Sequence, residues 1–348
     1  MTFFRLSPAF ASLAIAAAVV AALPGQTAAA ESPSAVRVRT FEFTYQVHVP
    51  ANPDPAPTTH LWLPLPQPDG YQEIRGLYIE SPVAYTEGHD AEYGNPFAVF
   101  TPTPQQSSVG YDVTLRFTAT RREHKVRLDG AASNNTAPVS SDPKLQRYLQ
   151  PDKLVPLDSM IAELAREHTR GDTTDLEKAR HIYDYVVATL RYDKSGAGWG
   201  RGDAIWACTS KRGNCTDFHS LLIGMMRSSG IPARFEMGFP LPQDKTEGDI
   251  PGYHCWAEFY LNGVGWVPVD ASEASKNPGK RDYFFGAHDT NRVLFTYGRD
   301  IRLSADQRGE PLNYFIYPYA ETNGTSMANL QTHFSFRDVA ATHDMAGR

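Results

Sequence analysis

Basic residues are few in this chain, and no Lys/Arg-rich run gathers them: 33 Lys and Arg stand against 39 Asp and Glu, a formal charge of −6. A protein that grips nucleic acid through its phosphates concentrates cations on one face, so that class is set aside. Cysteine is scarcer still, with three in 348 residues, too few for a disulfide-built scaffold. Charged residues make up only 21% beside 41% apolar ones, which excludes disordered, collagen-like and coiled-coil classes. Beyond the first thirty residues no apolar run approaches the ~20 needed to span a bilayer. No segment has the Asp/Asn/Glu spacing of a calcium loop. What is abundant is Gly and Pro, 26 of each, a balance that favours turns and strands over long helices.

The first thirty residues read as an address. Arg5 supplies a positive start, residues 9–23 are apolar, and Ala28-Ala29-Ala30 fits a small-residue cleavage site. This pattern predicts a secretory signal peptide over residues 1–30, hence a periplasmic or secreted product with no integral membrane segment after cleavage. Glycosylation sequons occur at Asn134, Asn214 and Asn323. A glycan on Asn214 would crowd Cys215, which favours a bacterial periplasm.

Residues 31–130 read as an N-terminal β domain. Residues 36–39, 41–49, 60–63 and 111–117 alternate with period two between Pro/Gly/Asn/Asp clusters, the pattern of a β-sandwich. Residues 52–57 carry three prolines and form a loop. A linker is expected at 131–145. Residues 146–300 then change character: a helix starts near Asp158 and stops at Gly171, and another runs over 175–190 with apolar residues at helical spacing. Residues 193–213 form a long connection holding Trp199, Trp206 and Cys208. Residues 301–348 form a strand-like tail, in which the aromatic stretch 313–319 is expected to pack or to return to the N-terminal strands.

The chemistry gathers after that connection. Asn214 is a good N-cap and Asp217 puts a carboxylate in the first turn, so Cys215 falls at the first helical position. Phe218, Leu221, Leu222 and Met225 mark the buried face, and Gly230 with Pro232 ends the helix. A thiol at a helix N-terminus meets the positive end of the dipole, which favours the thiolate. A nucleophile needs a base, and the base needs an orienting acceptor. Residues 252–261 and 264–270 read as a hairpin turning at Asn262-Gly263. Counting back from that turn sets His254 roughly opposite Asp270, so Asp270 can accept from one imidazole nitrogen while the other faces Cys215. Asp270 is also placed to cap the residues after it. His219, one helical turn after Cys215, reads as a core histidine; with Cys208 and Cys255 it fits no standard zinc spacing. No metal and no cofactor are expected.

Four blocks in this order resemble the transglutaminase-like superfamily, relatives of papain-like thiol proteases: residues 213–218 (GNCTDF), 230–234 (GIPAR), 254–258 (HCWAE) and 265–270 (GWVPVD). The resemblance covers about residues 150–300. It implies an α+β fold, a papain/transglutaminase-like core with the Cys helix packed on an antiparallel sheet, here preceded by the N-terminal β-sandwich-like domain. It also implies acyl transfer through a thioester, with Cys215 as nucleophile, His254 as base and acid, and Asp270 as orienter. The family places an oxyanion donor upstream of the nucleophile, for which Tyr192 and Trp206 are candidates beside the Cys215 amide. With Cys215 reserved for chemistry, Cys208 and Cys255 are the remaining pair. A bridge needs Cα atoms within ~7 Å, while strand alternation turns Cys255 away from the helix, so a bridge and two separate buried thiols both stand. The expected activity is hydrolysis of amide bonds in a peptide, protein or cell-wall peptide, as a peptidase or amidase. The rival is a non-catalytic peptide- or cell-envelope-binding module on the same fold.

Overall fold

Alternation along residues 38–49 and 111–122 buries Phe41, Phe43, Tyr45, Val47 and Val49 on one strand and Tyr111, Val113, Leu115 and Phe117 on the other. In the computed structural model, which describes residues 1–2, 36–52, 58–129 and 142–339, these segments pair antiparallel as β1 (Val38–Val49) and β6 (Tyr111–Arg122), with Phe43 opposite Phe117. The expected signal peptide lies outside the described residues apart from Met1 and Thr2, as does the proline loop beyond Asn52. So does the linker as far as residue 141; from Pro143 it opens a short helix, α2 (Pro143–Gln146).

A five-stranded antiparallel sheet forms in the order β11 (Glu247–Asp249), β18 (Gln331–Asp338), β1, β6, β3 (Gln72–Glu80). A second has the order β17 (Thr325–Ser326), β16 (Tyr319–Thr322), β2 (Thr59–Pro64), β5 (Pro96–Phe100), β4 (Tyr85–His89). Both draw strands from the two ends of the chain: Phe41 pairs with Asp338, and Trp62 with Tyr319. Within the tail, residues 313–318 are irregular and only Tyr319 onward is strand, so the strand expected over 313–319 is displaced towards the C-terminus. The core is continuous across the expected boundaries. Phe43 on β1 lies 5.3 Å from the ring of Phe239 and 5.7 Å from that of Phe295, both in the sheet that carries the candidate site.

That third sheet is antiparallel, ordered β13 (Gly265–Val269), β12 (His254–Leu261), β10 (Ala233–Pro240), β15 (Arg292–Tyr297). Its register shifts between Met237 and Gly238. Gly238 is required there, because a Cβ would overlap the carbonyl oxygen of Val293. Two short ladders complete the strands. β7 (His124–Lys125) pairs with β14 (Ala287–His288), and β8 (Arg191–Tyr192) lies parallel to β9 (Arg212–Gly213).

Seven α-helices lie among the described residues. They are α1 (Pro104–Val109), α2, α3 (Ser159–His168), α4 (Asp175–Thr189), α5 (Ala204–Ser210), α6 (Cys215–Ser228) and α7 (Ala271–Lys276). Asp158 caps α3 as its sequence suggests, and a Thr174/Glu177 capping box starts α4. The connection expected at 193–213 is not structureless, since it contains α5. Helix α6 is buried from Cys215 through Arg227 and packs against α3, α4, α5, β10 and β12. A helix enclosed on all sides has no solvent face to keep polar, which explains its apolar run. No helix among the described residues is long and apolar enough to cross a membrane.

Candidate active site

The start of α6 fixes the thiol. Asn214 Oδ1 accepts from the Thr216 amide at 2.9 Å, and Asp217 Oδ2 accepts from the Asn214 amide at 2.9 Å, a reciprocal capping box. The Cys215 amide then occupies the first helical position, where no intrahelical acceptor exists. Gly213 precedes the cap with φ 152°, and a Cβ there would run into the Asp217 side chain. Asp217 also accepts from the amides of Gly200 at 2.7 Å and Gly202 at 3.0 Å. One carboxylate therefore ties the upstream loop to the helix start. Arg299 holds the same loop from the other side, donating to Gly202 O at 2.8 Å and Ser220 Oγ at 2.6 Å.

The hairpin brings His254 and Asp270. Ala257 pairs with Val269, so Asp270 follows one step beyond, level with Trp256 and not with His254. The expected opposition is corrected by two residues. Both side chains share one face, and diagonal neighbours remain in reach: His254 Nε2 lies 2.8 Å from Asp270 Oδ2. The other ring nitrogen is left for Cys215, and the thiol and the imidazole each shift the other's titration. Asp270 does both things its position allows, since its Oδ1 accepts from the Glu273 amide at 2.9 Å and caps α7. Arg292 Nη1 donates to Oδ2 at 3.2 Å.

The electrostatics favour a charged pair. Burial alone pushes the Cys215 thiol up, but hydrogen bonds from Cys255 and His254, with the His254 charge, outweigh it and hold the thiol well below its ordinary range. Burial pulls His254 down, yet the Asp270 charge and hydrogen bond, with Cys215, raise it to about 10. Burial works against ionised Asp270 too, and His254 and Arg292 hold it well below the carboxylate range. These directions favour thiolate, imidazolium and carboxylate together. Cys215 is 2% exposed and His254 6%, so the pair is shielded from bulk water.

The remaining expectations divide. Tyr192 sits on β8. Burial and the neighbouring Cys215 push its phenol up, and Lys276 Nζ lies 4.7 Å from the ring centroid. Trp206 lies on α5, its indole nitrogen edge against Gly198 and its ring under the Arg212 guanidinium at 5.7 Å. Cys208 and Cys255 do not pair; all three cysteines are free and buried. Cys208 is held in α5. Cys255 faces α6 and not away from it, its Sγ 3.7 Å from His219 Nδ1. His219 is a satisfied core histidine: Nδ1 donates to Cys215 O at 2.8 Å and Nε2 accepts from the Ala271 amide at 3.1 Å. Burial keeps it neutral.

Residues 162–271, which include Cys215, His254 and Asp270, match the sequence model of the transglutaminase-like superfamily. The chain carries a transglutaminase-like domain. An uncharacterized protein of Haemophilus influenzae is 29% identical over 321 residues, covering 82% of this chain and 85% of its own. The uncharacterized protein YebA of Bacillus subtilis is 26% identical over 149 residues, 38% of this chain and 20% of that one. Among solved structures, a candidate cysteine protease from Cytophaga hutchinsonii superposes with a TM-score of 0.62 at 18% identity, covering 87% of this chain and 92% of that one. The likeness is one of fold.

Around the transglutaminase-like Cys helix, Tyr253 escaped sequence reasoning, as did Arg299. Tyr253 OH accepts from Asn214 Nδ2 at 3.0 Å and donates to Thr216 Oγ1 at 2.9 Å, since the Thr216 hydroxyl itself donates to Asn214 at 2.8 Å. It locks the cap beside the thiol, and the rings of Tyr314 and Tyr317 lie 5.5 and 6.0 Å from it. The only sequence signal was its place directly before His254.

Proposed function

We propose that this protein is an exported thiol hydrolase that cleaves amide bonds of peptides, proteins or cell-wall peptides. The observation that carries the reading is the 2.8 Å bond of His254 to Asp270 beside a Cys215 at the start of α6, with the thiol depressed and the imidazole raised. In the reaction the Cys215 thiolate attacks the carbonyl carbon, and the developing oxyanion meets the Cys215 amide. Tyr192 is the side-chain donor we assign beside it, with Trp206 as the alternative. The tetrahedral species collapses, the C–N bond breaks, and His254 passes its proton to the leaving amine. A thioester on Cys215 remains. His254, now neutral, takes a proton from water as the water attacks the thioester. Release of the acid returns the thiolate and imidazolium. Asp270 holds one ring orientation throughout and stabilises the imidazolium. The fold-sharing Cytophaga hutchinsonii protein is described as a candidate protease, and hydrolysis is the outcome we assign to this chain.

The test is labelling with an electrophilic thiol probe followed by a screen of peptides and peptidoglycan fragments, with and without an added amine. Labelling at Cys215 and a carboxylic acid product support the reading. An amine adduct as the main product would move the assignment to transamidation, and a protein that binds fragments without cleaving any would point to the binding module.

A further inference from the structure

A second cluster of buried titratable groups takes no part in that chemistry. His124 on β7, Glu258 on β12 and His288 on β14 each offer a ligand atom, and these atoms lie within 4.8 Å of one another. The residues are 5%, 3% and 0% exposed. His124 Nδ1 and Glu258 Oε1 are 3.3 Å apart, close to the edge of a tetrahedron with metal bonds of about 2.0–2.1 Å, which is about 3.3 Å. His288 is the decisive member, because its ring is fully enclosed and neither Nδ1 nor Nε2 has a hydrogen-bond partner. Buried polar atoms ordinarily find one.

The surroundings suit a ligand set. Arg234 Nε donates to Glu258 Oε2 at 2.8 Å, which orients the carboxylate and leaves Oε1 facing His124, as outer-shell partners do at metal sites. Tyr71 stacks on the His124 ring at 3.6 Å between centroids, and Trp256 meets His288 edge-on at 5.9 Å. Two imidazoles and one carboxylate are a zinc donor set.

We propose that His124, Glu258 and His288 bind one zinc ion, which ties strand β7 to β12 and β14. Glu258 lies on the same face of β12 as His254, so the ion would brace the strand that presents the base. Reading along the chain for Cys/His spacing missed it, because the three residues are far apart in sequence. The proposal is independent of the thiol reading.

The test uses the full chain, stripped with a chelator and titrated with zinc chloride or cobalt chloride. The expected result is uptake of one equivalent of zinc and a raised melting temperature, since an ion that binds only the folded state stabilises it. Cobalt should give the visible bands of a nitrogen and oxygen site without a thiolate charge-transfer band. Uptake should persist in Cys215→Ser and vanish in His288→Ala. No saturable uptake, no rise in melting temperature, a thiolate band in the wild type, or equal uptake by His288→Ala would each overturn the proposal. The wild-type cobalt spectrum decides even if His288→Ala does not fold.

Discussion

Replacing Asp270 by Asn probes the charge relationship on which the thiol depends. The carboxylate is fully buried and faces His254 Nε2 at 2.8 Å, Arg292 Nη1 at 3.2 Å, Ser272 Oγ at 3.0 Å and the Glu273 amide at 2.9 Å. Asn keeps the shape and can still cap α7, so the fold should persist while the charge goes. A hydrogen bond to a charged group contributes about 1.5–3 kcal/mol. One pKa unit corresponds to about 1.4 kcal/mol. Losing this bond should therefore lower the His254 pKa by about one to two units from its value of about 10. The imidazolium in turn supports the Cys215 thiolate, so the thiol climbs as the imidazole falls. The assay is the rate of alkylation by iodoacetamide from about pH 4 to about pH 9. Each profile is normalised to its own plateau, which cancels the burial of the sulfur. The wild-type plateau should extend below about pH 6, and the variant should break about one to two units higher. Superimposable profiles would refute the reasoning. So would a wild-type rate that already falls tenfold per unit below about pH 8.5, as an ordinary thiol does.

Three further outcomes are expected. Asn214→Ala removes the cap to the Thr216 amide at 2.9 Å and the bond to Tyr253 at 3.0 Å. It should destabilise the protein by about 1–2 kcal/mol in urea unfolding, whereas a loss below about 0.3 kcal/mol would mean the cap contributes little. Gly238→Ala drives a methyl into the Val293 carbonyl and should cost about 3 kcal/mol or more; unchanged thermal stability would contradict the close approach. Thiol titration of the denatured, unreduced protein should find all three cysteines free. One thiol per chain would restore the bridge between Cys208 and Cys255.

What could be read from the sequence was what is local. The start of α6 is written in Asn214, Cys215 and Asp217, because a cap, a dipole and a first-turn carboxylate act within four residues. The hairpin is written in Asn262-Gly263. Its exact register is not, since the turn fixes which strands pair but the contact of His254 with Asp270 is diagonal. Strand alternation separated His254 from Cys255 but did not foresee that Cys255 also meets α6, its Sγ 3.7 Å from His219 Nδ1. The partners of β16 and β18 were suggested only loosely by the aromatic tail, because Asp338 meets Phe41 across nearly the whole chain. Arg299 and Tyr253 act through contacts that tertiary packing alone creates. Neither sits in a motif whose spacing announces its role.

The central claim is that Cys215 forms and discharges a thioester. The most direct measurement is intact-protein mass spectrometry during turnover of a cleaved peptide, compared with Cys215→Ala. The account predicts a transient acyl adduct located at Cys215, released by hydroxylamine, and neither adduct nor turnover in the alanine variant. Undiminished cleavage by correctly folded Cys215→Ala would contradict it.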